Sequence, residues 1–154
     1  MKFSELVTPQ TVVKDVRAGT KPEVLAELAG RAAVATRLDR MTIFRALLDN
    51  EATSSSGLGL GVALPHARFK ELREPFVLFA RLGRPIDFHA LDGRPVDLLF
   101  LLLGPEPATV TYLKLLTSTS RSLREPAIRD RLRVRFDAAS IISALEDNAI
   151  SAPH

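Results

Sequence analysis

The residues best suited to chemistry lie in one stretch, Ser54-Ser55-Ser56-Gly57-Leu58-Gly59-Leu60-Gly61-Val62-Ala63-Leu64-Pro65-His66, with Ala67-Arg68 behind it. Alternating glycines let a backbone approach a phosphate closely, and glycine N–H groups and serine hydroxyls are suitable donors to its oxygens. The order of the parts is not that of a nucleotide site. P-loop and dinucleotide motifs run strand, glycines, helix, whereas these glycines follow a helical pattern and lead into an apolar run. The plainer use of the glycines is a tight turn at the start of a strand.

His66 comes directly after a proline at the end of that run, where loops on a rigid sheet commonly present reactive groups. A lone His beside an apolar strand is more often a structural hydrogen-bonder, so its options have to be narrowed. His89 and His154 are distant in sequence and no HExxH or other His/carboxylate ligand spacing occurs, so no metal is expected. No GxSxG elbow is present, which leaves a Ser/His/Asp set to spatial assembly alone. Imidazole can also accept a phosphoryl group on nitrogen and pass it on. That needs a neutral ring, available near the ordinary pKa of about 6.5, and donors that stabilise the transferring charge.

The rest of the chain sets the frame for this site. At 154 residues it is one domain's worth. With 46% hydrophobic and 25% charged residues it fits neither wholesale disorder nor a membrane protein. The strongest apolar stretch, Leu98 to Leu103, is too short to span a bilayer, so no membrane insertion is expected. The N-terminal residues carry no signal-like apolar run, which predicts a cytoplasmic protein. The absence of cysteine excludes a disulfide scaffold, a thiol nucleophile and Cys-based clusters. The net charge of +3 is concentrated late, in Arg121, Arg124, Arg129, Arg131, Arg133 and Arg135 against Glu125 and Asp130. Lacking stacking aromatics or a reading helix, this stretch reads as a solvated or partner-facing helical surface, and no nucleic-acid partner is expected.

Periodicity then places the elements. Thr20-Lys21-Pro22-Glu23 opens a helix over about 21–36, and Asp39 can cap a second with Ile43, Phe44, Leu47 and Leu48 on one face, dissolving from Asn50 onward. Residues 61–64, 76–82 and 96–103 are short apolar runs bounded by Gly and Pro, as expected of strands buried on both faces, and Thr11-Val12-Val13 offers a further strand. Pro85 to Phe88 reads as an edge segment and Asp92-Gly93-Arg94-Pro95 as a tight turn. A helix over about 109–124 should turn Tyr112, Leu113, Leu116, Thr119, Ser120 and Leu123 inward, and Asp137 can cap a last one with Ile141, Ile142 and Leu145 inside. These elements predict a single layered α/β domain over residues 1–150, a sheet with helices on both faces, and a frayed tail at 151–154.

The run Ser55 to His66 resembles the active-site signature of the fructose/mannitol-type IIA domains of the bacterial phosphotransferase system. Pro85-Ile86-Asp87-Phe88, Asp92 to Leu98 and Phe100-Leu101-Leu102 are similar to the segment that follows in the stand-alone nitrogen-regulatory IIA proteins. The resemblance extends from about Phe3 to Leu145. It implies a mixed sheet flanked by helices and a phosphohistidine on His66, formed on Nε2 while backbone holds the other ring nitrogen. It further implies phosphoryl-binding roles for Ser55, Ser56, Gly57 and Gly59, a carrier protein of the HPr type as donor, and no cofactor. Regulatory target proteins would then be bound according to phosphorylation state.

Two positions depart from the family pattern. Asn50-Glu51 stands where the family has Arg-Glu, and Tyr112 where it has a second His. A neutral amide in place of a guanidinium predicts slower phosphoryl transfer, with Arg68 as a candidate replacement cation. A sugar-specific IIA transport component and a binding module that no longer cycles phosphate remain as alternative functions.

Overall fold

A computed structural model describes residues 2–53 and 56–151, and side chains as far as residue 146. A short helix α1 (Phe3–Leu6) and a 3-10 turn (Pro9–Thr11) lead into β1 (Val12–Val16). Helix α2 (Lys21–Thr36) starts where the Thr20 side chain accepts a hydrogen bond from the Glu23 N–H at 3.3 Å, and it ends at Arg37, whose φ is +64°. Helix α3 (Arg40–Thr53) is capped by Asp39, which accepts from the Thr42 N–H at 3.0 Å. It does not dissolve at Asn50, because neither Gly nor Pro interrupts it before Thr53, and its last turn therefore aims Asn50 and Glu51.

The strands follow: β2 (Gly57–Gly59), β3 (Val62–Ala63), β4 (His66–Phe69), β5 (Phe76–Ile86) and β6 (Val96–Pro105). Helices α4 (Val110–Leu123), α5 (Pro126–Val134) and α6 (Ala138–Ser151) complete the chain. Of the tail expected at 151–154, Ser151 is the last residue of α6, and 152–154 lie outside the described residues. The sheet order is β1-β5-β6-β3-β2, with β4 pairing β6 farther along the edge that β3 occupies. Pairs β1/β5, β3/β6 and β4/β6 are parallel and β5/β6 and β2/β3 antiparallel, which makes the sheet mixed.

Side-chain alternation along β6 divides the core in two. Leu99, Leu101 and Leu103 join Leu78 and Ala80 of β5 under α2 and α3. Leu98, Phe100 and Leu102 join Val77 and Phe79 under α1 and α4 to α6. A strand buried on both faces has to be apolar on both, which is why 98–103 is readable without a period, while half-buried Asp97 at its start meets Arg133.

Several expectations are corrected. The segment Pro85–Phe88 is not separate: β5 continues through a register shift to Ile86. On α4 the inward position is Leu115, 5% exposed, rather than Leu113, 48% exposed, because the buried face follows Tyr112, Leu115, Thr119, Ser122 and Leu123. The arginine-rich stretch is two helices, broken at Glu125, since Pro126 has no N–H to continue α4 and starts α5 instead.

The hairpin from β2 to β3 turns through Gly59, Leu60 and Gly61, with φ of +84°, +61° and +85°. Asp92 accepts from the Leu60 N–H at 2.8 Å, and Arg133 donates to the Leu60 carbonyl at 3.0 Å while paired with Asp97. A methyl group on Gly61 would meet the Arg133 guanidinium and lie 3.2 Å from the Asp97 carboxylate. Gly61→Ala should therefore cost about 1–3 kcal/mol, the range for a non-glycine residue held in a left-handed conformation. Denaturant unfolding checks it against Gly19→Ala, whose added methyl has only the Glu23 carboxylate nearby, at 4.0 Å, and should be nearly neutral.

Candidate functional site

His66 is the first residue of β4 and pairs in register with Leu102. Pro65 ahead of it still accepts from the Leu102 N–H at 3.0 Å but brings no N–H of its own, so the strand line β3–β4 is interrupted at the point where the imidazole emerges. The His66 Nδ1 lies 2.8 Å from the Leu64 carbonyl oxygen. A carbonyl only accepts, so in the neutral ring Nδ1 carries the proton and Nε2 is left with its lone pair. The ring is half-buried and lies between two clefts.

The first cleft, about 610 Å³, is walled by Asn50, Glu51, Ser56, Arg68, Glu106 and Tyr112 beside His66. Asn50 does not reach toward an open ligand position with its amide nitrogen: it donates to the His66 carbonyl at 2.7 Å, fixing the backbone that carries the ring. Arg68 pairs through Nε with Glu106 at 3.1 Å, so its charge is already answered. Tyr112 is 1% exposed, and its hydroxyl donates, at a long 3.5 Å, to the Leu102 carbonyl. The ring lies flat enough on Gly104 that a side chain at that position would run into it. Burial pushes the Tyr112 hydroxyl up to about 12, against the opposing pull of the Arg68 charge.

Sequence reasoning missed the residues that hold this cleft together. Glu51, its side chain 6% exposed, accepts from the Ser56 N–H at 2.8 Å and from the Ser56 hydroxyl, and pairs with Lys21 at 3.1 Å. Lys21 in turn donates to the Phe88 carbonyl at 3.1 Å and lies 4.7 Å from the Phe88 ring centre. One buried ion pair thus ties the start of α2, the end of α3, the loop before β2 and the chain after β5. A signal existed: a lysine at the first position of a helix opposes the helix dipole and needs a compensating partner.

The structure gathers His66, Ser56, Arg68, Asn50 and Tyr112 around one cleft. Ser55 lies outside the described residues. Gly57 is within β2, paired with Ala63. Gly59 is not brought to His66: it sits in the hairpin turn, where a methyl group would be 3.0 Å from the Asp92 carboxylate. The N–H groups of Leu60 and Arg94 hold that carboxyl below its ordinary range, and an ionised Asp92 repels an anion. Among the described residues no three His, Asp or Glu side chains are placed to hold a metal ion.

Two measurements follow from this geometry. Lys21→Met should cost about 3–5 kcal/mol in urea unfolding, because it strands the buried Glu51 charge. The chain has one Tyr and no Trp, so phenolate absorbance reports Tyr112 alone: its midpoint in the folded protein should lie near 12. The unfolded chain loses this proton at about pH 10, so stability is unaffected below that and falls as pH rises from 10 to 12. A folded-state midpoint near 10 would mean a solvated ring.

Residues 5–148 match the model of the family described as phosphoenolpyruvate-dependent sugar phosphotransferase system, EIIA 2. The nitrogen regulatory protein of Bradyrhizobium diazoefficiens is 42% identical over 145 residues, covering 94% of this chain and 95% of the relative. That of Pseudomonas aeruginosa is 37% identical over 148 residues, 96% of each chain. The crystal structure of the nitrogen regulatory protein IIA-Ntr from Neisseria meningitidis superposes with a TM-score of 0.86 at 31% identity, covering 92% of this chain and 97% of that one. A mixed sheet with helices on both faces, a Pro-His at its interrupted strand and this likeness over nearly the full length together establish that the chain belongs to the EIIA 2 family of the phosphotransferase system, as a regulatory IIA protein of the nitrogen-related kind.

Proposed function

We propose that His66 accepts a phosphoryl group on Nε2 from a phosphohistidine-bearing carrier protein of the HPr type, and that the phosphorylation state selects which regulatory targets the protein binds. The observation that carries this reading is the 2.8 Å contact of Nδ1 with the Leu64 carbonyl, which leaves Nε2 as the nucleophile. In the transfer, the Nε2 lone pair forms the new N–P bond while the carrier's N–P bond breaks and returns its electron pair to the carrier's imidazole. The Nδ1 proton stays on the ring, donated to the Leu64 carbonyl, and no base is needed. Ser56, whose N–H and hydroxyl are both spent on Glu51, and Arg68, paired with Glu106, line the same cleft. Among the described residues no helix is long and apolar enough to cross a membrane, and we place the protein in the cytoplasm with its carrier.

A second reading, a binding module that does not cycle phosphate, is favoured by the neutral Asn50 and the buried Tyr112. One experiment separates them. Incubation with phosphorylated HPr-type carrier, followed by intact mass, should show a single phosphoryl adduct on the parent and none on His66→Ala. An unmodified parent supports the second reading, and an adduct that survives His66→Ala or maps to His89 overturns the assignment to His66.

A further inference from the structure

The arginine-rich stretch separates into two groups once the structure assigns each side chain. Arg129 is buried and donates to the Leu123 carbonyl at 2.9 Å, closing the end of α4. Arg131 bonds the Ser143 hydroxyl at 3.2 Å, Arg133 holds Asp97 and the hairpin turn, and Arg135 pairs with Asp137 at 2.8 Å. These four have structural tasks. The guanidinium groups of Arg121 and Arg124 have no hydrogen-bond or ion-pair partner among the described residues. Both line the second cleft, about 470 Å³, which His66 and Ser56 share with the hydroxyl-bearing Thr117 and Ser120.

The positive charges in and behind the first cleft are otherwise engaged. Arg68 faces Glu106 across 3.1 Å, Lys21 is locked to Glu51, and Asn50 is neutral and spent on the His66 carbonyl. A phosphoryl group on imidazole carries up to two negative charges, and a neutral or already paired environment stabilises it poorly. Uncommitted guanidinium groups are the side chains best matched to its oxygens.

From this we infer that Arg121, on the last turn of α4, and Arg124, just past its end, are the phosphoryl-binding cations of this protein. They approach the His66 phosphoryl from the second cleft, opposite the side on which Asn50 stands. The inference rests on the phosphohistidine reading above and deepens it. The chemistry it requires is that already written: the donor's N–P bond breaks as the Nε2–P bond forms, and the two arginines neutralise charge on the oxygens without exchanging protons.

The test uses two donors, phosphorylated HPr-type carrier and phosphoramidate, a small P–N donor that needs no protein docking surface. Parent, Arg121→Gln, Arg124→Gln, the double Gln variant and Arg131→Gln are compared by intact mass against time, with thermal melting as a check on folding. Both target arginines are exposed, so melting should be unchanged. The double variant should be phosphorylated about 10²-fold more slowly by both donors, the loss associated with removing a charge-stabilising group. Each single variant should be intermediate, and Arg131→Gln should match the parent. Equal rates for the parent and the double variant overturn the inference and leave the phosphohistidine reading intact. So does a loss seen only with the protein donor, which would make the arginines a docking surface, or an equal loss in Arg131→Gln, which would make the effect one of net charge. A parent that takes no phosphoryl from either donor overturns the reading and the inference together.

Discussion

Strand β6 must be hydrogen-bonded along both edges, because both its faces are buried and no water reaches its N–H and C=O groups. Strand β5 satisfies one edge antiparallel. The other edge is satisfied in two pieces, β3 against Leu98 and Leu99 and β4 against Leu102 to Pro105. Pro65 falls at the joint. It can accept from the ladder and cannot donate to it, so the joint is where the second strand line relaxes, and the first residue after it carries the imidazole. The position of His66 is thus a consequence of how a doubly buried strand completes its hydrogen bonding.

Around that joint the protein uses neutral backbone contacts where a charged group could have served. The Leu64 carbonyl fixes the ring tautomer, and Asn50 fixes the His66 carbonyl. Both act on the orientation of the imidazole rather than on charge in the cleft. Charge is handled by pairs: Lys21 with Glu51 below the cleft and Arg68 with Glu106 at its rim. The first pair is buried and orders Ser56. The second is about half exposed and, screened by water, contributes little to stability. A site arranged this way is rigid in its imidazole and short of free positive charge on one side.

The distribution of arginines is the counterpart of that arrangement. A run with six basic residues within fifteen positions looks uniform in sequence, yet its members close a helix end, hold a hairpin turn and stitch α5 to α6 through Ser143. Pro126 makes this possible by ending α4, so that the basic residues before it and after it fall on two separate helices. Charge runs of this kind are therefore poorly described by their net sign, and partner geometry has to be read residue by residue.

By itself the sequence determined whatever depends on short-range pattern. Helix α2 runs over the span that its capping residues and apolar spacing predict, and the apolar runs within β5 and β6 required a sheet covered on both faces. The Pro-His step behind a glycine-rich turn singled out His66, and the resemblance of the flanking motifs supplied the family. Contacts between residues far apart in the chain came from packing alone. The partnership of Lys21 with Glu51 spans two helices, and Asp92 reaches Gly59 and Leu60 across the sheet end, which turns a phosphate-like glycine pattern into a hairpin turn beside a carboxylate. Helical spacing turns Tyr112 inward, but what makes room for its ring is the bare backbone of Gly104 on β6. Local periodicity fixes which face of an element is buried; it carries no information about which distant side chain will meet it there, because that is set by the packing of one element on another.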